Sequence, residues 1–210
     1  MNRIWDISQT LRSGIPVWPG DTEYRAEKHW ELDGHCPVNV GAIELSTHTG
    51  THADAPLHYD LAGKSIAEVD LESYIGPCVL IDATAASGLV CPEHIVDQLP
   101  PRVERVLLRT MASFSHERWV SDFTAIDAAT IELLASRGTR LVGVDSPSLD
   151  PEDSKTLNAH RAVQRHAMAI LEGLVLDGVP AGPYELIAPP LKLENMDASP
   201  VRALLRSIHP

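Results

Sequence analysis

The densest group of chemically capable side chains is the run HTGTHADAPLHY at residues 48–59, which brings His48, His52, Asp54 and His58 within eleven positions. Imidazole nitrogen and carboxylate oxygen are the donors suited to zinc and similar first-row divalent ions. No thiolate accompanies them in this run. His48, His52 and Asp54 supply three ligands, whereas a structural zinc site is normally closed by four. The open set points to metal-assisted catalysis rather than to a cation that only staples the fold.

The spacing does not fit a helical H-x-x-x-H site. Thr49, Gly50, Thr51 and Pro56 are poor helix-interior residues, and the glutamate of the H-E-x-x-H proteases is replaced. Extended backbone fits better, because His52, Asp54, Pro56 and His58 alternate with Ala53, Ala55 and Leu57 and so share a face. Full extension from 48 to 58 would span about 33 Å at roughly 3.3 Å per residue, too far for one metal centre. Bends are therefore expected at Gly50 and Pro56. His48, His52 and Asp54 then converge on one ion, with His58 beyond the second bend.

The elements that must position this segment are mostly short strands. Apolar, β-rich runs recur at 4–7, 38–45, 78–81, 103–108, 141–144, 169–171 and 184–193. Pro92 opens a predicted helix running to Leu99. Asp127 caps a second one over 128–136, with Gly138 just beyond. A third is expected from Asn158, as its cap, to about Gln164. Residues 199–208 read equally as strand or short helix. Strands and helices interleave without a strict βαβ period, which favours a mixed α/β domain over a doubly wound parallel sheet.

The chain has 210 residues with 44% hydrophobic and 22% charged residues, an ordinary globular composition, and no linker or repeat divides it. A single domain over 1–210 is expected. The formal net charge of −12, with no Lys/Arg-rich block, argues against a nucleic-acid partner. No run of about 18 apolar residues occurs, so neither a membrane span nor a signal peptide is expected, and the reading is of a cytoplasmic protein. Cys36, Cys78 and Cys91 are odd in number and widely spaced, and each is read as a small buried hydrophobe.

The pattern H-x-G-T-H-x-D-x-P-x-H resembles that of the cyclase-type metal hydrolases, matched by His48, Gly50, Thr51, His52, Asp54, Pro56 and His58. Within that family the chain is most similar to the bacterial kynurenine formamidases (arylformamidases). WDIS at 5–8, IPVWPGD at 15–21, GVDSPSLD at 143–150, NAHRA at 158–162 and ILEGL at 170–174 carry the similarity along the chain. The resemblance implies a swivelling β/β/α fold, with a barrel-like central sheet and outer helices, and a homodimer. It implies two zinc ions per subunit, with manganese as the alternative. His48, His52 and Asp54 would hold one, and Asp54 would bridge to a second held by His160 and Glu172. By the same resemblance Trp18 lines the substrate pocket; by sequence alone it is a tryptophan beside Pro16 and Pro19 in a loop.

The activity so implied is hydrolysis of N-formyl-L-kynurenine to L-kynurenine and formate, a step of tryptophan catabolism. Zinc lowers the pKa of bound water from about 15.7 toward about 7, which supplies hydroxide at neutral pH. His58 is the assigned general acid/base, because imidazole carries protons readily near physiological pH and the departing aniline nitrogen needs one. Two rival readings remain: an isatin hydrolase-like or other small cyclic-amide hydrolase with the same ligands, and a non-catalytic metal-binding protein. His29, His35, His94, His116, His166 and His209 are read as surface or hydrogen-bonding residues. Asp145 and Ser146 stand either as pocket or supporting residues or as a plain strand-ending turn.

Overall fold

RVLLR at 105–109 and LVGV at 141–144 have apolar residues facing both ways, as strands covered on both sides require. In the computed structural model, which describes residues 3–208, both lie at the middle of a nine-stranded sheet. His209 lies outside the described residues.

In chain order the strands are β1 (Ile4–Asp6), β2 (Arg25–Trp30), β3 (Val40–Glu44), β4 (His52–Asp54), β5 (Ile75–Asp82), β6 (Leu89–Val90), β7 (Arg105–Arg109), β8 (Ala125–Ile126), β9 (Leu141–Val144), β10 (Ala169–Glu172), β11 (Gly182–Ile187), β12 (Ala198–Pro200) and β13 (Leu204–Ser207). The helices are α1 (Pro92–Ile95), α2 (Ala128–Ser136) and α3 (Asn158–Arg165). The large sheet runs β1-β13-β11-β5-β7-β9-β10-β4-β12. From β5 to β10 it is parallel, and on both flanks it is antiparallel. β2 pairs with β3, and β6 with β8, in two small separate sheets.

Strand alternation divides the interior in two. Val106, Leu108, Val142, Val144 and Ile170 pack on one face against Ile131 and Leu134 of α2 and Ala159 and Val163 of α3. Leu107, Leu141 and Leu171 point the other way, into a second core with Ala53 and Leu205. Ala53 and Leu205 sit near opposite ends of the strand order, so sharing one core requires the sheet to curl into a half-barrel. Each fully buried Leu or Val contributes roughly 1.5–3 kcal/mol relative to exposure, so both cores hold the curl. The result is the mixed α/β architecture expected, with helices covering one face.

The termini of the elements depart from expectation in instructive ways. α2 matches throughout: the Asp127 carboxylate accepts the Ala129 N–H at 2.7 Å, and Gly138 turns away with φ +82°. α1 ends at Ile95 and gives way to a tighter 3₁₀ turn over Val96–Gln98. α3 starts at Asn158, yet Asn158 is not its cap. Leu157 occupies the cap in left-handed backbone, φ 48°, and the carboxylate of Asp150 accepts the Ala159 and His160 N–H groups at 3.0 Å each. β11 stops at Ile187, short of 193, because Pro189 and Pro190 offer no N–H to a ladder. Residues 199–208 form no helix; they contribute to the two strands β12 and β13. All three cysteines are free, and only Cys78 is buried.

Candidate metal centre

β4 is the short strand HAD, paired on one edge with β10 and on the other with β12. Its Ala53 faces the second core, so His52 and Asp54 face the helix side. The register sets Glu172 directly opposite His52 and Ile170 opposite Asp54. Glu172 therefore meets the two β4 side chains on one face, at the carboxyl end of the parallel strand β10. That is where open α/β sheets characteristically bind ligands.

Two glycines let the flanking turns close. Gly50 has φ +70° and Gly173 φ +63°, both in the left-handed region, and a Cβ on Gly173 would lie 2.6 Å from the Gly50 carbonyl oxygen. Thr51 Oγ1 donates to the Gly173 carbonyl at 2.6 Å, and Gln9 Nε2 does so at 3.0 Å. The bend at Gly50 swings His48 back over β4, and the bend at Pro56 is a 3₁₀ turn, Pro56–His58. α3 delivers His160 from its first turn.

The donor atoms converge. His48 Nδ1 lies 3.1 Å and His52 Nε2 3.4 Å from Asp54 Oδ1, while His160 Nε2 lies 3.5 Å from Asp54 Oδ2. Glu172 places Oε2 3.3 Å from His52 Nε2 and Oε1 3.6 Å from His160 Nε2. His52 Nε2, both oxygens of Asp54 and His160 Nε2 are buried without a hydrogen-bond partner. Leaving one such group unpaired costs about 1–3 kcal/mol, so four gathered in one cluster point to a ligand between them. Ligands about 2.1 Å from a tetrahedral cation stand about 3.4 Å from each other, the separation found here. The residues present thus fit a divalent cation.

The other ring nitrogens are tied down. His52 Nδ1 donates to the Gly50 carbonyl at 3.0 Å, His160 Nδ1 to Asp150 Oδ2 at 2.6 Å, and His48 Nε2 to Asp197 Oδ2 at 3.0 Å. Each of these bonds fixes the tautomer and turns the remaining nitrogen inward. Burial acts to lower the His52 and His160 pKa values. Asp54 and Glu172 around His52, and Asp150 and Asp54 around His160, outweigh it and raise both to about 10. Burial works in the opposite sense on Asp54, yet His160, His48 and His52 hold its carboxyl well below the usual range. Held as ligands of a cation, these imidazoles would give up those protons.

His58 ends the 3₁₀ turn, exposed, with Nδ1 3.3 Å from Asp197 Oδ2. It also offers a donor atom within 4.8 Å of those of Asp54 and His160. Asp197 and Asp150 were not foreseen from the sequence. Asp197 is bonded by Thr47 Oγ1 at 3.0 Å as well as by the two imidazoles. Burial would raise its carboxyl, but His48 first, then Thr47 and His58, bring it to about 2. Asp150 belongs to GVDSPSLD, where a carboxylate ten residues before His160 was the available signal.

The cluster lies in a cavity of about 370 Å³ whose wall includes Trp18, Phe114, Trp119 and Leu157. Trp18 and Trp119 meet edge to face, centroids 5.3 Å apart, and Trp119 Nε1 donates to Glu152 at 2.7 Å. Asp145 and Ser146 serve as supports. The Asp145 carboxylate accepts the Thr110 and Met111 N–H groups at 2.8 and 2.9 Å, anchoring the segment that carries Phe114 and Trp119. Burial nevertheless pushes the Asp145 carboxyl up, to about 6. The Ser146 carbonyl accepts the Gly173 N–H at 2.9 Å.

Comparison with known proteins accords with this geometry. Residues 5–151 match the family described as "Putative cyclase". A kynurenine formamidase of Maricaulis maris is 54% identical over 208 residues, covering 99% of this chain and 100% of the relative. One of Erythrobacter litoralis is 53% identical over 208 residues, covering 98% and 94%. A solved structure described as a potential metal-dependent hydrolase with cyclase activity superposes with a TM-score of 0.86 at 28% identity, covering 100% of both chains. Isatin hydrolase A of Labrenzia aggregata, bound to benzyl benzoate, does so with a TM-score of 0.84 at 28% identity, covering 98% and 94%.

Proposed function

The chain belongs to the cyclase family and is an amidohydrolase, and from that premise we propose that it hydrolyses N-formyl-L-kynurenine to L-kynurenine and formate. The observation that carries this is the set of buried donor atoms without hydrogen-bond partners at the end of an aromatic-lined cavity. The proposal takes residues 1–210 as one domain of that family. His48, His52 and Asp54 would hold one zinc, and Asp54, His160 and Glu172 would hold another, with manganese as the alternative metal. A shared Asp54 is supported by its two oxygens facing different imidazoles. Two such cations, when bound, bring the pKa of water down toward about 7 and polarise a carbonyl.

The remaining steps belong to the side chains. Asp197 accepts from His58 Nδ1, which leaves Nε2 as the atom that takes up a proton and passes it to the aniline nitrogen as the C–N bond breaks. Trp18 receives the substrate ring, a contact worth about 0.5–1.5 kcal/mol beyond area burial. The apolar wall keeps bulk water from the reacting carbonyl.

The protein acts as a homodimer in this reading. The β2–β3 hairpin supports that, because it leaves Trp30 58% and Ile43 61% exposed and a lone hairpin is marginally stable. Three free cysteines suit the reducing cytoplasm.

The test is chelation followed by reconstitution with zinc, manganese or cobalt, with N-formyl-L-kynurenine and isatin offered in parallel absorbance assays. Formamide hydrolysis that vanishes with the metal and returns with about two equivalents per chain is the expected result. Full activity in metal-free protein, or a preference for isatin, overturns the proposal.

A further inference from the structure

The inner end of the cavity is occupied by the metal-centre donors, but its wall also carries two charges that take no part there. Asp21 and Arg118 both line it. Asp21 closes a turn on Trp18, its N–H donating to the Trp18 carbonyl at 2.9 Å, and Arg118 immediately precedes Trp119. The two charges therefore flank the edge-to-face Trp18–Trp119 pair. Their neighbours are already matched: Arg12 pairs with Glu117 at 2.8 Å, and Glu152 takes the Trp119 N–H. Among the described residues Asp21 and Arg118 are left without an ion-pair partner, and Asp21 spends one oxygen on the Thr22 N–H at 2.6 Å.

One cation and one anion beside an aromatic pair are complementary to an aromatic amino acid in its zwitterionic form. We propose that Arg118 and Asp21 form a subsite for the α-amino-acid end of the substrate, the guanidinium taking the carboxylate and Asp21 the ammonium. This rests on the proposed hydrolysis of an aryl formamide and deepens it. The planar guanidinium can grip a carboxylate with two parallel hydrogen bonds. A neutral cyclic amide presents neither charge, so the subsite selects against that substrate class without touching the reacting carbonyl. Both side chains are exposed, so the selection weakens as salt screens it.

The experiment compares N-formyl-L-kynurenine with 2-formamidoacetophenone, which keeps the formamide and the aryl ketone but lacks the amino acid. In Arg118→Ala the kcat/KM ratio between the two falls about tenfold, mainly through KM, with partial recovery in Arg118→Lys and a smaller fall in Asp21→Asn. A second readout is calorimetric binding of L-kynurenine to chelator-treated protein, expected to weaken about tenfold in Arg118→Ala. Hydrolysis of both formamides with the ratio and the L-kynurenine affinity unchanged in all three variants overturns the subsite alone. Wild-type protein that hydrolyses neither formamide overturns the proposed function and the subsite with it.

Discussion

β4 and the β2–β3 hairpin are opposites. β4 is three residues long, two of them ionisable, and every one is buried. β2 has six residues, RAEKHW, and every one is exposed. Neither shows the apolar alternation of a half-buried strand, so composition does not separate them. Pairing does: β4 has a neighbour on each edge, whereas β2 has only β3. Placement in the sheet thus decides burial here, and in each region the surface left unmatched identifies what it is built to meet. Inside, that surface is a set of inward-facing donor atoms; outside, it is Trp30 and Ile43.

The sharpest way to break the contrast is at Asp54. Asp54→Asn removes the charge shared by both proposed cations and should lower kcat/KM by on the order of 10³ or more, with metal content falling in parallel. Ile43→Asn in the hairpin should leave turnover within about twofold, as surface changes commonly do. Equal losses from both would erase the distinction.

Next in size is His58→Ala, just beyond the end of β4. Turnover should fall by about 10² to 10⁴ while metal analysis stays near wild type. Loss of metal would instead make His58 a ligand, a role its proximity to Asp54 and His160 permits.

On the hairpin side, Trp30→Ser with Ile43→Ser should weaken the proposed dimer. Each large apolar side chain buried at an interface is worth roughly 1.5–3 kcal/mol, so the dissociation constant should rise at least about tenfold per residue. Sedimentation measures it, and wild-type protein that sediments as a monomer refutes the role given to the hairpin.

The smallest effect concerns acid. Asp33, in the hairpin loop, accepts the His35 and Cys36 N–H groups at 2.6 and 2.8 Å, and these bonds hold its carboxyl below the ordinary value of 3.8. A depressed carboxyl stabilises the loop above the unfolded-state value and loses that contribution as pH falls through the folded one. Protection factors of the His35 and Cys36 amides, measured against the intrinsic exchange rate at each pH, should therefore fall below about pH 4 while those of the β4 amides hold. Identical behaviour of the two regions would show that the hairpin loop is not an independent unit.

How much was legible in the sequence follows the distance over which each feature is determined. His48, His52 and Asp54 were readable because they share one bent segment, and Gly50 and Pro56 announced the bends that the structure contains. α2 was readable because its cap and its terminating glycine are local. His160 and Glu172 required resemblance, since a helical histidine and a strand-end glutamate are commonplace and only the β4–β10 register sets Glu172 against His52. Asp197 was invisible because β12 must first pair with β4 to bring it to His48. Asp150 was missed for a related reason: its carboxylate reaches across a turn to cap α3, a task the sequence suggests for the nearer Asn158.

The β4–β10 ladder also dictates an order of events during synthesis. Asp54 pairs with Ile170, so roughly a hundred residues must leave the ribosome before the strand that completes the cluster even exists. Closing so long a loop is entropically slow and must precede any reward from the contacts it makes. If Glu172 is a ligand as proposed, metallation is a maturation step of an almost finished polypeptide, unable to template its early collapse, and ribosome-bound chains truncated before Glu172 would lack one of the proposed ligands whatever the cellular metal supply.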